Sequence, residues 1–240
     1  MDTVQARHIE IMRDFLTEIN KETDAFILKG GTGLLLAYGL NRFSEGIDLD
    51  GEKRRLKGFV EQYSRKHDFS FRIAKDTPTI EQFMLTYEPA ICKPLKIESS
   101  YRSRNIPAHT HHRMDGIEVY TIDHICQLKT GAYQGREKIR DLYDICFICD
   151  QHFDSLSDSA KEQLKAALTY KGFDYFDYVT STQEDSLIDK NALAELYLKM
   201  FEKLDLLYSK EEAESLPTKE NGAEKEDDEQ EEWSQCMLLQ

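Results

Sequence analysis

The sequence predicts an α+β fold: a mixed β-sheet core with flanking helices, followed by a helical C-terminal region. Three observations predict it. Apolar residues recur at helical spacing near the start, short runs rich in β-branched and aromatic residues crowd the stretch from Phe69 to Thr121, and the pattern turns helical again after Asp123. Strands gathered beside strands, with helices gathered elsewhere, are the mark of this class. The expected organisation is a mixed core over 1–122, a helical region over 123–208 and an acidic tail over 209–240.

Each element has a local reason. Residues 5 to 20 read as an amphipathic helix, because Ile9, Met12, Phe15, Leu16 and Ile19 share one stripe. "DAFILKGG" is a short apolar strand ending at glycine. Residues 31 to 39 look like a helix, "GIDLDG" like a strand bounded by glycines, and 53 to 67 like a charged helix. "FSFRIAK", "FMLTYEP", "LKIESSY" and "IEVYT" are four further short strands between polar turns. Helices are then expected near 123 to 134, 138 to 152, 157 to 170 and 190 to 208. "HTHHRMD" reads as a polar loop whose histidines, His109, His111 and His112, are solvated or touch RNA, with metal binding as the lesser alternative. The aromatic run Tyr170, Phe173, Tyr175, Phe176 and Tyr178 reads as packing within the helical region, with base stacking as the alternative.

Composition narrows the class. With 40% hydrophobic and 32% charged residues in 240, the chain has enough apolar content for one substantial core. No apolar run reaches the roughly 18 residues a membrane helix needs, and "MDTVQARHIEIMRDF" lacks the apolar stretch of a signal peptide, so a cytoplasmic protein without membrane contact is expected. Five scattered cysteines do not form a secreted disulfide framework, and the Cys146–Cys149 pair lies on an apolar-periodic helix with no second pair to complete a zinc site. Reduced, buried thiols are expected. Of the net charge of −14, the stretch from Lys210 to Trp233 carries −8, from eleven acids and three lysines, which leaves −6 for everything else. A mildly acidic body can still carry basic patches. Candidates are Lys53, Arg54, Arg55 and Lys57; Arg102 and Arg104; and Lys129, Arg136, Lys138 and Arg140. The tail reads as solvated, with the apolar "WSQCMLLQ" as a disordered end or a docking peptide.

The run "LKGGTGLLLAYGLNRFSEGIDLDG" concentrates the chemistry. A glycine pair between a strand and a helix lets backbone amides approach a ligand, and the helix N-terminus favours phosphate, so Gly30, Gly31 and Thr32 are candidates to cradle a triphosphate; glycines that only turn the chain are the plain alternative. Asp48 and Asp50, two apart on a strand, point to one face and could share a hard cation such as magnesium; alternatively one faces solvent and the other ends the strand. Glu98 in "LKIES" offers a third carboxylate from another strand for a two-metal site, or is an exposed strand residue. "LKTGAYQGREKIRDLYDI" places Lys129, Arg136, Arg140, Asp141 and Asp144 across a helix-turn-helix, where Lys129 or Arg136 could neutralise phosphate charge. The plain account of Arg140 and Asp144 is a surface pair at helical spacing.

In this order these pieces resemble the AbiEii-type nucleotidyltransferases, the toxin-like family of type IV toxin–antitoxin systems, over roughly Phe26 to Asp150. The resemblance implies a nucleotidyltransferase-like core with a helical C-terminal part, magnesium with a nucleoside triphosphate as substrate, and in some members transfer to the 3′ end of transfer RNA. It also implies a cognate antitoxin as a partner to look for. The residues and the resemblance together make Asp48, at the family's second aspartate, with Asp50 and Glu98 the candidate metal ligands and, with Lys129, the candidate catalytic residues, and Gly30, Gly31, Thr32, Ser44, Arg136, Asp141 and Asp144 candidate substrate-binding residues. One departure stands out: the family run has aspartate two residues after its serine, and here Ser44 and Glu45 are followed by Gly46. Either Asp48 and Asp50 take over the metal, or Glu45 swings in, or the chain is a weakened nucleotide- or RNA-binding protein that retains the fold.

Overall fold

The structure is a computed structural model that describes residues 3–88, 93–103 and 105–207; the acidic tail, "WSQCMLLQ", Cys92, Arg104 and Cys236 lie outside the described residues. Residues up to Leu204 form one compact unit, in which the sheet and the C-terminal helices share a single body.

The elements in chain order are α1 (Thr3–Glu22), β1 (Phe26–Lys29), α2 (Gly30–Ala37), β2 (Gly46–Gly51), α3 (Leu56–His67), β3 (Ser70–Thr77), β4 (Ile80–Thr86), β5 (Leu95–Ser100), β6 (His111–Met114), β7 (Ile117–Tyr120), α4 (Ile122–Gly135), α5 (Ile139–His152), α6 (Asp158–Thr182) and α7 (Lys190–Lys203). The seven strands form one mixed sheet in the order β3-β4-β5-β2-β1-β7-β6. Its centre is parallel for β2 with β5 and for β1 with β7, whereas β1 runs antiparallel to β2. The four central strands thus bring the glycine corner, "GIDLDG" and "LKIES" side by side.

Alternation on these strands decides which chemistry faces which side. On β2, Ile47 and Leu49 are buried, and on β5 Leu95 and Ile97 are buried, so their neighbours Asp48, Lys96 and Glu98 point the other way. Helices α1 and α3 pack on each other through Phe15 and Tyr63, whose rings meet edge to face at 5.2 Å, and Phe59 of α3 meets Phe26 of β1 at 5.7 Å. Helix α2 lies against α4 and β7: a methyl at Gly33 would touch Ile125 at 3.4 Å and Val119 at 3.5 Å. Gly51 has no space for a side chain between Tyr101 and Phe26, at 2.9 and 3.0 Å.

Two expectations need correction and two others are sharpened. "HTHHRMD" is not a loop: His111 and His112 lie on β6, an edge strand paired to β7, where His111 faces Glu118 at 3.1 Å. The helix expected over 157 to 170 does end there: α6 is broken at Gly172, whose φ of 66° and ψ of −177° are not helical, and a second helical stretch that the sequence reading did not name follows to Thr182. The aromatic run mostly packs within the helical region, as expected: Tyr175 is buried against Tyr133, and Phe173 and Phe176 meet Tyr197 of α7, while Tyr170 and Tyr178 are exposed. Finally, Arg140 and Asp144 do not pair: Arg140 binds Glu45 and Asp185, while Asp144 is fully buried elsewhere.

Cys126, Cys146 and Cys149 are free and buried, and burial raises all three thiols, Cys126 to about 12. They pack the core, where burial disfavours the thiolate. No helix among the described residues is long and apolar enough to cross a membrane.

His8 on α1 is buried, with Nδ1 2.7 Å from the Tyr87 hydroxyl and Nε2 3.2 Å from the Glu45 carbonyl. Burial outweighs that carbonyl and lowers its pKa below the ordinary 6.5. His124 is lowered for the same reason. The unfolded chain therefore binds protons more readily, so this stability is fully present above about pH 6.5 and is lost as pH falls towards the folded-state values. The thermal midpoint is expected to drop between about pH 7.5 and about pH 5.5, and to drop less in His8→Gln. Equal drops in the two proteins would remove His8 from the explanation.

Candidate active site

At Lys29 the strand β1 passes directly into α2, so the first amides of the helix have no intrahelical carbonyl to bind. Gly30 has φ 71°, which any larger residue would find strained. Gly31 is sterically required: a Cβ there would lie 2.9 Å from Arg42 Nη2 and 3.1 Å from Ser44 Oγ. Thr32 is buried, and its hydroxyl binds the Gly46 carbonyl and Ser44 Oγ, the latter at 2.8 Å, tying α2 to the start of β2. Gly30 and Gly31 open onto a cleft; Thr32 braces them from behind.

The cleft has two adjoining lobes of about 660 and 650 Å³ that share Gly31, Asp48, Lys129 and Arg136 on their walls. That is the size of a small-molecule site. In the first lobe five cations, Lys29, Lys96, Arg102, Lys129 and Arg136, line the wall with two acids, Asp48 and Glu98, while Asp50, Asp141 and Asp144 balance Lys29, Lys129 and Arg136, so the wall itself offers cationic donors to a polyanion such as a triphosphate. Asp48 and Glu98 are partners in the parallel β2–β5 register. The Asp48 carboxylate lies 3.7 Å from where a Cβ on Gly30 would stand, so acid and glycine corner do face each other. Asp48 Oδ1 accepts from Lys96 Nζ at 2.7 Å, with Glu98 Oε2 at 3.8 Å from the same ammonium. Burial works to lower the Lys96 pKa, but the charge and hydrogen bond of Asp48, with the charge of Glu98, together outweigh it and the net shift is upward.

Asp50 stands differently. It is buried, and its two oxygens accept from Lys29 Nζ at 2.5 Å and the Tyr120 hydroxyl at 3.0 Å. Burial, then the Asp50 charge, raise the Tyr120 pKa, so the phenol remains a donor. Glu45 is held by Lys93 and Arg140.

Beneath the cleft runs a charge network built on the buried Asp141 and Asp144. Arg42 donates from Nε and Nη2 to the two oxygens of Asp144 at 2.8 and 2.7 Å. Lys129 Nζ lies 2.6 Å from Asp144 and 3.1 Å from Asp141, and Arg136 forks onto Asp141 at 2.6 and 3.0 Å. Burial works to raise the Asp141 carboxyl, but Arg136 and Lys129 hold it below its usual range. The two aspartates therefore aim the cations: Asp144 is 0% exposed and does not reach the cleft wall, whereas Asp141 lines the second lobe.

The cleft thus gathers Gly30, Gly31, Ser44, Asp48, Glu98, Lys129, Arg136 and Asp141 on its walls, with Thr32, Asp50 and Asp144 behind them. Sequence reasoning overlooked Lys29, Arg42 and Lys96. The signal for Lys96 was present, since it stands two residues before Glu98 and so shares its strand face.

Asp48 and Glu98 fit a magnesium ion: both are hard oxygen donors on adjacent strands facing the phosphate-sized cleft, and magnesium commonly takes one or two carboxylates and completes its shell with phosphate and water. Among the described residues the one set of three ligand atoms within 4.8 Å is Asp14, Glu18 and His67. It lies on α1 and α3, which contribute nothing to the cleft walls.

Residues 14–238 match the family model described as "Nucleotidyl transferase AbiEii toxin, Type IV TA system". No curated protein matches the chain. Among solved structures, JHP933 from Helicobacter pylori is similar at 27% identity and a TM-score of 0.71, covering 90% of this chain and 96% of its own. A candidate nucleotidyltransferase from H. pylori is similar at 26% identity and a TM-score of 0.71, covering 90% of this chain and 100% of its own. The nucleotidyltransferase toxin MenT4 from Mycobacterium tuberculosis shares the fold at 16% identity and a TM-score of 0.54, covering 88% of this chain and 91% of its own.

Proposed function

We propose, from the fact that this chain belongs to the AbiEii family of nucleotidyl transferase toxins of type IV toxin–antitoxin systems, that its cleft transfers a nucleoside monophosphate from a nucleoside triphosphate to an acceptor hydroxyl, with RNA, in particular the 3′ end of transfer RNA, as acceptor. The observation that carries this reading is the apposition of Asp48 and Glu98 to the Gly30–Gly31 corner across a cleft whose wall carries five cationic side chains.

The amides at the start of α2 receive phosphate oxygens. Lys129 and Arg136, held in place by Asp141 and Asp144, meet the β- and γ-phosphates and balance the charge that grows on the leaving group. An acceptor hydroxyl attacks the α-phosphorus in line, the bond to the β-phosphate breaks, pyrophosphate departs and the hydroxyl proton passes to water. Asp48 and Glu98 would hold magnesium, which when bound supplies Lewis-acid polarisation of the phosphoryl oxygens. Arg102, exposed and with no carboxylate partner among the described residues, stands at the wall where an RNA strand would enter. A cognate antitoxin is the partner that family membership suggests.

The test is transfer of label from nucleoside triphosphates to total RNA in magnesium, beside an Asp48→Asn control. We expect transfer by the wild type and at least about a hundredfold less by the variant. Equal or absent label in both proteins would end the enzymatic reading. Gly46 favours a second reading, a nucleotide- or RNA-binding protein that keeps the fold without turnover. Its sign would be calorimetric binding of nucleotide, independent of magnesium, in a protein that transfers nothing.

A further inference from the structure

We infer that Lys96 is a built-in counter-ion of the acidic pair, and that a divalent ion enters between Asp48 and Glu98 only when a triphosphate draws the Lys96 ammonium away. The inference rests on the reading of the cleft as a nucleotide site.

It begins with strand register. On β2, Gly46 and Asp48 share one face, and on β5, Lys96 and Glu98 share the same face; Gly46 is the partner of Lys96 and Asp48 the partner of Glu98. The four positions make a two-by-two patch beside the glycine corner. Gly46 carries no side chain, and the vacant volume is filled from across the ladder. A Cβ at Gly46 would lie 3.0 Å from the Lys96 carbonyl oxygen and 3.2 Å from both Lys96 Cβ and Cε. The lysine stem therefore lies over Gly46, and its ammonium ends 2.7 Å from Asp48 and 3.8 Å from Glu98. A side chain at 46 would push that stem aside.

Two carboxylates on adjacent strands repel each other unless a cation stands between them, and the ammonium is that cation. Magnesium sheds water reluctantly and wants near-octahedral oxygen geometry, so the two carboxylates with an ammonium already bound are a poor site for it. A triphosphate changes the competition. It presents several anionic oxygens to a lysine on a flexible four-carbon stem, about a third exposed and already lining the cleft, and it completes the shell of the metal. Metal and nucleotide should then strengthen each other reciprocally. An ordinary surface ion pair would have no such effect on metal affinity.

The test is titration with Mn²⁺, followed by the electron paramagnetic resonance signal of the free ion, on full-length protein with and without a non-hydrolysable triphosphate. Lys96→Met keeps the stem over Gly46 and removes the charge; Lys96→Gln is the second variant. We expect Mn²⁺ without nucleotide to bind either variant at least about tenfold more tightly than the wild type, and adding Asp48→Asn to Lys96→Met to abolish the gain. In the wild type the triphosphate should raise Mn²⁺ affinity about tenfold or more, and much less in Lys96→Met. Nucleotide-free affinities within about twofold of the wild type in both folded variants would overturn the inference. Triphosphate binding without metal, followed with a fluorescent analogue, tests the nucleotide reading separately: if the wild type binds none, that reading fails, while the nucleotide-free Mn²⁺ comparison still decides the role of Lys96.

Discussion

Replacing Arg42 with methionine is expected to lower stability by about 3 to 5 kcal/mol, as breaking a buried ion pair by removing one partner does. Asp144 is fully buried, and Arg42 is its bidentate partner from the loop between α2 and β2. Without the guanidinium one aspartate oxygen keeps only Lys129, which Asp141 also claims. Replacing both members, Arg42→Met with Asp144→Leu, should recover much of the loss, because the penalty comes from the stranded charge more than from the missing bond. Urea unfolding of the four proteins in a double-mutant cycle measures this. A loss below about 1 kcal/mol in the single variant would show that the pair is solvated after all. The change should also reach the cleft, since Arg42 packs where a side chain on Gly31 would stand and so supports the glycine corner.

Lys129→Met should act in the opposite proportion, with the larger effect on activity. The ammonium is on the cleft wall, yet it is aimed by two buried carboxylates, so little reorganisation accompanies its contact with phosphate. Its loss is expected to slow nucleotide transfer by about 10² to 10³ in single-turnover measurements. Stability should fall less than for Arg42→Met, because Asp144 keeps Arg42 and Asp141 keeps Arg136. Transfer within about threefold of the wild type would place the phosphates away from Lys129.

Much of this arrangement was legible in the chain. Strand alternation in "GIDLDG" and "LKIES" already put Asp48 and Glu98 opposite their apolar neighbours, and the glycine pair after an apolar strand marked the helix start that now faces Asp48. The charged residues of "LKTGAYQGREKIRDLYDI" were recognised as a group, but their pairing was not. Helical spacing suggested Arg140 with Asp144, a local rule that counts only neighbours along one helix. Asp144 instead meets Arg42, 102 residues away, because α5 turns that face inward.

What the sequence determined by itself was periodic and local: most of the strands and helices, though not the polar edge strand β6, and which side of each is apolar. Those properties depend on sterics and burial within a few residues, and a single chain displays them directly. Tertiary structure alone decided which charge answers which. Lys29 took Asp50 out of the cleft, Lys96 settled over Gly46 onto Asp48, and Asp144 went inside with Arg42 and Lys129. The physical reason is that the strength of a charge pair depends on distance and local dielectric, and both are set by segments far apart in the chain brought together only when the sheet and helices close.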